Sequence, residues 1–239
     1  MFPIHDDNPI RIIPFVNYLF MAVCVVVFLW QITQDPHVQQ AIVYSLGVIP
    51  AVLFGKAELA PELAWIPSTG TVFTSMFLHG GWMHIIGNML YLWVFGNNIE
   101  AAMGHIKFAI FYALCGVAAV FAQALPDIDS GIPMIGASGA ISGILGAYLL
   151  LYPMARVTII VPIFFIIKPF KVPAMLVLGA WFLMQLYSSF TTNSEGGGVA
   201  FGAHIGGFIA GMVLIPFFKN KSVRLEIPFV HFNPLSRFK

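Results

Sequence analysis

The chain has 239 residues, 59% of them hydrophobic and 9% charged, with a formal net charge of +1. Soluble domains are about half apolar and a quarter charged, so this composition, with its mean hydropathy of +0.89, excludes an ordinary soluble enzyme and indicates a polytopic membrane protein. No basic stripe is present, so nucleic acid is not an expected partner.

The N-terminus, MFPIHDDNPIR, lacks the basic start, short apolar run and small-residue cleavage site of a signal peptide, so the first span is expected to be retained. Six stretches read as spans, at about 12–31, 74–95, 106–125, 136–152, 172–190 and 199–218, most of them near the ~20 apolar residues a bilayer requires. The long first loop, 32–73, carries apolar runs too short to span (AIVYSLGVIP, AVLFG) and is expected to lie on the bundle, either to position substrate or, as the favoured reading, to shield the core. The fourth span is short and rich in small residues, which suits the centre of a bundle, where protein rather than lipid surrounds it. Residues 157–167, VTIIVPIFFII, are apolar but interrupted by Pro162 and flanked by Arg156, Lys168 and Lys171, which predicts a cytoplasmic interfacial or re-entrant segment. Cys24 and Cys115 fall mid-span and read as small buried hydrophobes.

Charge fixes the expected orientation. With both ends inside, Arg11, Lys107, Arg156, Lys168, Lys171, Lys219, Lys221, Arg224, Arg237 and Lys239 are cytoplasmic and Lys56 alone is outside, as the positive-inside rule requires. Asp35, Glu58, Glu62, Asp127, Asp129 and Glu195 then fall in outer loops.

Ser138 stands at the start of GASGAISGILGA (136–147), where small residues at 139, 142, 143, 146 and 147 leave one helix face flat enough for another backbone to approach. In GAHIGGFIAG (202–211), His204 shares a face with Gly207 and Gly211. If the two stripes pack, a serine meets a histidine base, the minimum constellation for nucleophilic acyl transfer. The expected topology puts His79, His84 and Asn88 at the same outer-leaflet depth, and His84 and Asn88, four residues apart, share a helix face. Intramembrane polar groups at a shared depth mark function. His79 reads as a helix–helix hydrogen-bond partner, His105 as ordinary, Ser142 as bonded to its own i−4 carbonyl or packed as a small residue, and Glu100, after the turn read at 96–98, as a structural cap or loop partner. No carboxylate lies within a predicted span and no HExxH occurs, which removes the aspartyl and zinc routes to peptide hydrolysis.

These pieces resemble a known family. GASG at 136–139, AHIGG at 203–207 with GxxxG at 202–206, and FLHGGWMHIIGNMLYLWVFGNNIE at 77–100, in that arrangement on a six-span bundle, are similar to the rhomboid intramembrane serine proteases, and the likeness covers most of residues 12–218. The resemblance implies an all-α membrane protein, a six-transmembrane-helix rhomboid-type bundle with a long first outer loop (1–218) and a short basic cytoplasmic tail (219–239). It implies Ser138 as nucleophile, His204 as general base, and His84, Asn88 and the Ser138 backbone N–H as the oxyanion hole. Gly136, Gly139, Gly202, Gly206 and Gly207 would pack the helices at the site. No cofactor or metal is implied; the partners would be transmembrane-helix substrates and the lipid bilayer, and the expected location is a bacterial plasma membrane. Many members carry an aromatic residue one turn after the serine; here it is Ser142, so another side chain has to orient His204. The alternative function is a non-catalytic rhomboid-like protein that binds or escorts membrane clients.

Overall fold

In the computed structural model, which describes residues 2–10, 12–163, 166–191 and 199–226, the chain opens with strand β1 (Phe2–Asp6) and helix α1 (Phe15–Ile32). Helices α2 (Pro36–Leu46) and α3 (Pro50–Leu53), a single 3₁₀ turn at Pro61–Leu63, and α4 (Ser68–Thr74) build the segment read as a long loop. Both α2 and α3 begin on proline, whose fixed φ and missing N–H suit the first helical position. After a 3₁₀ turn at Ser75–Phe77 come α5 (Trp82–Tyr91), a π-helical stretch Leu92–Gly96, and α6 (Asn97–Met103). Then follow α7 (His105–Ala124), α8 (Ser138–Leu151), strands β2 (Arg156–Ile163) and β3 (Ile166–Pro173), α9 (Ala174–Thr191) and α10 (Phe201–Phe218). Among the described residues, α1, α7, α9 and α10 are long and apolar enough to cross a membrane, and α8 is a shorter apolar helix.

The helix where a second span was expected departs from the predicted limits at both ends. It starts at Trp82 instead of 74, which leaves His79 in the connection before α5. The turn read at 96–98 is helix: the backbone stays helical to Met103 and ends at Gly104, whose φ of +86° few other residues adopt. The π stretch is held from α1. Asn17 Nδ2 donates to the Leu92 carbonyl at 3.1 Å, and Gly96 lies so close to Asn17 that an added Cβ would sit 2.1 Å from its Oδ1. Glu100 caps α1, its two carboxylate oxygens accepting from the Val16 N–H at 2.9 Å and the Asn17 N–H at 2.7 Å.

Within the segment expected to be interfacial or re-entrant, residues 157–163 and 166–167 belong to a three-stranded antiparallel sheet, β1-β2-β3, so the fold is mostly rather than wholly helical. β-branched residues at 157–161 suit a pleated strand, and Pro162 follows the β1-paired residues 157–160, where the missing N–H removes no bond to that neighbour. Residues 164 and 165 lie outside the described set, as do Arg11, Glu195, Arg237 and Lys239 and the tail beyond 226.

Packing centres on α8. At about 1.5 Å per residue its 14 residues span roughly 21 Å, short of a ~30 Å hydrocarbon core. Most of its side chains are buried, against α7 and α10 above all. Cys24 and Cys115 are buried free thiols within that core. The segment after α2 supports the chain leading to α8. Val48 and Met134 exchange backbone hydrogen bonds at 3.0 and 2.7 Å, and the Ala51 N–H donates to the Ser130 carbonyl at 3.0 Å. At the other end of the bundle, the Asn220 N–H donates to the Ala102 carbonyl, the Glu226 N–H to the Leu150 carbonyl, and the Asp7 N–H to the Arg156 carbonyl. Arg156, Lys219, Lys221 and Arg224 are thereby gathered at one end, away from the Ala51 corner that carries Lys56.

Candidate active site

Ser138 is the first residue of α8, so its N–H belongs to the turn whose donors have no acceptor within the helix. The entry is set by Gly136, at φ +125°, whose N–H donates to the Ser75 carbonyl at 2.8 Å. A Cβ on Gly136 would lie 2.6 Å from His84 Nε2, so glycine is required here by backbone and by space alike. His204, in the first turn of α10 and buried, places Nε2 2.8 Å from Ser138 Oγ.

The two helices meet because glycines leave their carbonyls bare. An added Cβ would stand 2.0 Å from the Gly139 oxygen at Gly207, 1.9 Å from the Gly143 oxygen at Gly211, and 2.1 Å from the Phe208 oxygen at Gly146. The other small residues face α7. A Cβ on Gly139 would meet Ala119, one on Gly206 would meet Ala122, and one on Gly202 would meet Gln123 Oε1. So Gly207 with Gly211 brings α10 to α8, while Gly202 and Gly206, the GxxxG pair, seat it on α7. Ser142 turns back on its own helix, Oγ donating to the Ser138 carbonyl at 2.6 Å.

His84 stands against Gly136, facing the Ser138 entry, and Nδ1 accepts from the Gly80 N–H at 3.4 Å. Asn88 is buried deeper in the same helix and its amide nitrogen lies 2.9 Å from His79 Nε2. His79 is thus a hydrogen-bond partner, as read, but from the connection before α5. Its ring stands edge-on to His84 with centroids 5.1 Å apart, and its backbone N–H donates to Gln31 Oε1 of α1 at 3.2 Å. His84 and Asn88 are therefore each held by a neighbour, His84 nearest the serine.

Two residues at the site escape a reading by motif. Gln185 of α9 puts Oε1 2.8 Å from His204 Nδ1, and the Trp181 ring lies against the imidazole with centroids 5.8 Å apart at 35°. The available signal was a lone amide inside an apolar span, four residues after a tryptophan and so on the same face. Among the described residues no group of three or more His, Cys, Asp or Glu could hold a metal ion.

Residues 68–221 match the family model described as the Rhomboid domain. The chain is 28% identical over 205 residues to "Rhomboid protein 1, mitochondrial" of Saccharomyces cerevisiae, covering 77% of this chain and 55% of that protein. It is 26% identical over 186 residues to "Rhomboid-related protein 2" of Mus musculus, covering 78% and 58% respectively. It is 29% identical over 131 residues to "Presenilin-associated rhomboid-like protein, mitochondrial" of Bos taurus, covering 54% and 35%. This chain thus spans about half the length, or less, of the curated relatives it matches. Two of those names point to mitochondria, where a bacterial plasma membrane was expected from sequence; an integral membrane location is common ground.

Proposed function

This chain belongs to the rhomboid family, and on that premise we propose that it is an intramembrane serine endopeptidase acting through a Ser138–His204 dyad. The observation that carries the reading is the 2.8 Å contact between His204 Nε2 and Ser138 Oγ, at a helix start inside an apolar bundle. We take the bundle as six spans, adding α5–α6 and α8 to the four long helices, with both termini cytoplasmic. The clustering of cationic residues at the end opposite Lys56 supports that orientation.

In the first step Ser138 Oγ attacks the carbonyl carbon of the scissile bond while its proton passes to His204 Nε2. The carbonyl π pair moves onto oxygen, where the Ser138 N–H, at the positive end of α8, and the His84 and Asn88 side chains offer donors. Collapse of the oxyanion breaks the C–N bond, and the departing amine takes the proton from Nε2. Water repeats the sequence on the acyl-enzyme, releasing the acid and regenerating Ser138.

A peptide bond inside a transmembrane helix has its carbonyl already hydrogen-bonded, so the substrate must unwind. Unwinding in lipid leaves backbone groups unpaired at several kcal/mol each, which favours Gly or Pro near the cut. Ser138, His204 and His84 stand near helix starts at the end we assign to the outside. Cleavage therefore belongs near the outer end of single-span substrates, after a small residue such as Ala, with a helix breaker a few positions further in.

The test is covalent labelling of the purified protein by a fluorophosphonate, with the adduct located by mass spectrometry, and mapping of the cut in a model span along which a helix-breaking pair is moved. We expect a Ser138 adduct and cleavage that follows the breaker. Stable capture of the span with neither adduct nor cleavage would instead identify a non-catalytic rhomboid-like binder.

A further inference from the structure

The geometry points to Gln185 as the positioning residue for His204, completing a Ser138–His204–Gln185 array in which a neutral amide holds the base in its working tautomer. This rests on the proposed hydrolytic reading and adds to it a residue on a third helix.

A neutral imidazole carries one proton on either ring nitrogen, and His204 can accept from Ser138 Oγ–H only while Nε2 is bare. Gln185 Oε1, 2.8 Å from Nδ1, accepts Nδ1–H and leaves Nε2 free for the serine, 2.8 Å away on the other side. Without that acceptor the ring divides between tautomers, one of which donates toward Oγ and cannot act as base. Gln185 is 7% exposed and His204 9% exposed, so water does not readily supply a substitute partner.

The contact is built into one helix face. Trp181 and Gln185, one turn apart on α9, provide respectively a flat wall against the imidazole and the acceptor at its edge. From α8 the position one turn after the nucleophile offers no such support, since the Ser142 hydroxyl is spent on the Ser138 carbonyl at 2.6 Å. An amide also suits the surroundings. A carboxylate in this place would be an ionised group within an apolar span, which is costly, whereas the amide oxygen supplies the acceptor and stays neutral. When Ser138 transfers its proton to Nε2, the Nδ1–H···Oε1 bond persists and the negative end of the amide dipole faces the imidazolium. Gln185 neither gains nor loses a proton.

The surroundings leave that role to Gln185. His84 is the titratable side chain that interacts with His204 across the site, and the side chains against the imidazole from α8, α9 and its own helix include Ser138, Trp181, Gln185 and Phe201, none of them charged.

The direct test is the ¹⁵N spectrum of His204 in the full-length protein in detergent micelles, assigned by its loss in His204→Ala. We expect the Nδ1–H tautomer in the wild type; the Nε2–H tautomer, or an even mixture, would overturn the proposal without any Gln185 variant. The kinetic arm compares Gln185→Met, which keeps length and loses the acceptor, with Gln185→Glu, which restores one. Q185M should lower kcat and the rate of fluorophosphonate labelling by about 10- to 100-fold with KM within about twofold, and Q185E should recover at least about tenfold of that loss. Labelling of Q185M at the wild-type rate would overturn it, as would equal deficits in Q185M and Q185E. A wild-type protein that neither labels nor cleaves would sink the hydrolytic reading, while the tautomer would still decide whether Gln185 sets the imidazole.

Discussion

Gly207 approaches Gly139 so closely that a methyl group on its Cα would lie 2.0 Å from the Gly139 carbonyl oxygen. The obstacle is backbone, which cannot swing aside as a side chain would. Gly207→Ala should therefore destabilise the protein by about 1–3 kcal/mol, the usual scale of overpacking, and reduce activity by moving His204 away from Ser138. Gly179→Ala, where nothing lies within 4 Å of the added Cβ, should be neutral or slightly stabilising. Thermal unfolding of both variants in one detergent checks the contrast; equal losses would mean that the α8–α10 approach is not tight.

Ser138→Ala and His204→Ala should each fold, with unfolding temperatures near wild type, and each should lose cleavage. Because nucleophile and base act as a unit, the double variant should be no worse than either single one. Substantial turnover by a well-folded single variant would remove the dyad from the mechanism.

At His84 and Asn88, substitution by Ala should lower kcat by roughly 10- to 1000-fold with a smaller effect on KM, since oxyanion donors matter most in the transition state. His79→Ala frees the Asn88 amide from its 2.9 Å partner and should move kcat in the same direction by less. Steady-state kinetics on a single-span substrate separate the cases. A change confined to KM would assign these residues to docking.

Glu100 is wholly buried and accepts two backbone N–H groups at the start of α1. Glu100→Ala leaves both donors unpaired at about 1–3 kcal/mol each. The unfolding temperature should fall, while the labelling rate of Ser138, at temperatures where the variant is folded, should match wild type. Loss of labelling with unchanged stability would give Glu100 a part in the site.

Asp6, on β1, accepts from the Tyr148 hydroxyl at the end of α8 and from Asn98 Nδ2 at 2.8 Å. Burial pushes its carboxyl above the usual carboxylate range, with the Tyr148 hydrogen bond opposing that shift. Between the unfolded value, about 3.9, and the raised folded one, the native state binds more protons than the unfolded state. Stability therefore falls as pH rises through that window. Asp6→Asn retains an acceptor for both donors and should flatten this dependence, being more stable than wild type above the window. Unfolding temperatures of both proteins from pH 4 to 8 check the sign; parallel curves would refute it.

Much of the site was legible because membrane insertion penalises polar groups and tolerates small ones. Serine, histidine and glycine inside apolar stretches therefore stand out, and the small residues at 139, 142, 143, 146 and 147 and the 204–207–211 spacing mark two flat helix faces, of which Gly146, Gly207 and Gly211 turn to the α8–α10 contact while Gly139 and Gly143 turn to α7. Ser142 was legible from the preference of a helical serine for the carbonyl one turn back, whereas the partners of Glu100 lie on α1, 83 and 84 residues away, which a local pattern does not name.

Other features depended on distance in space. Residues 157–163 are apolar whether helical or extended, and the strand is decided by pairing β2 with β1 and β3, contacts that a local pattern does not contain. The helix through 96–98 persists because α1 supplies Asn17 to the opened turn, although Gly-Asn-Asn locally favours a break. His79 lies outside the span that periodicity gave it because the chain bends at 78–81, and the bend carries its ring to Asn88. By itself the sequence determined the chemistry available, a serine, a histidine and flat helix faces in an apolar chain, since composition and period are local properties. Which side chain holds the histidine was decided by the tertiary structure alone, because a hydrogen bond between α9 and α10 follows from how two helices are rotated against each other, and the packing of the whole bundle sets that rotation.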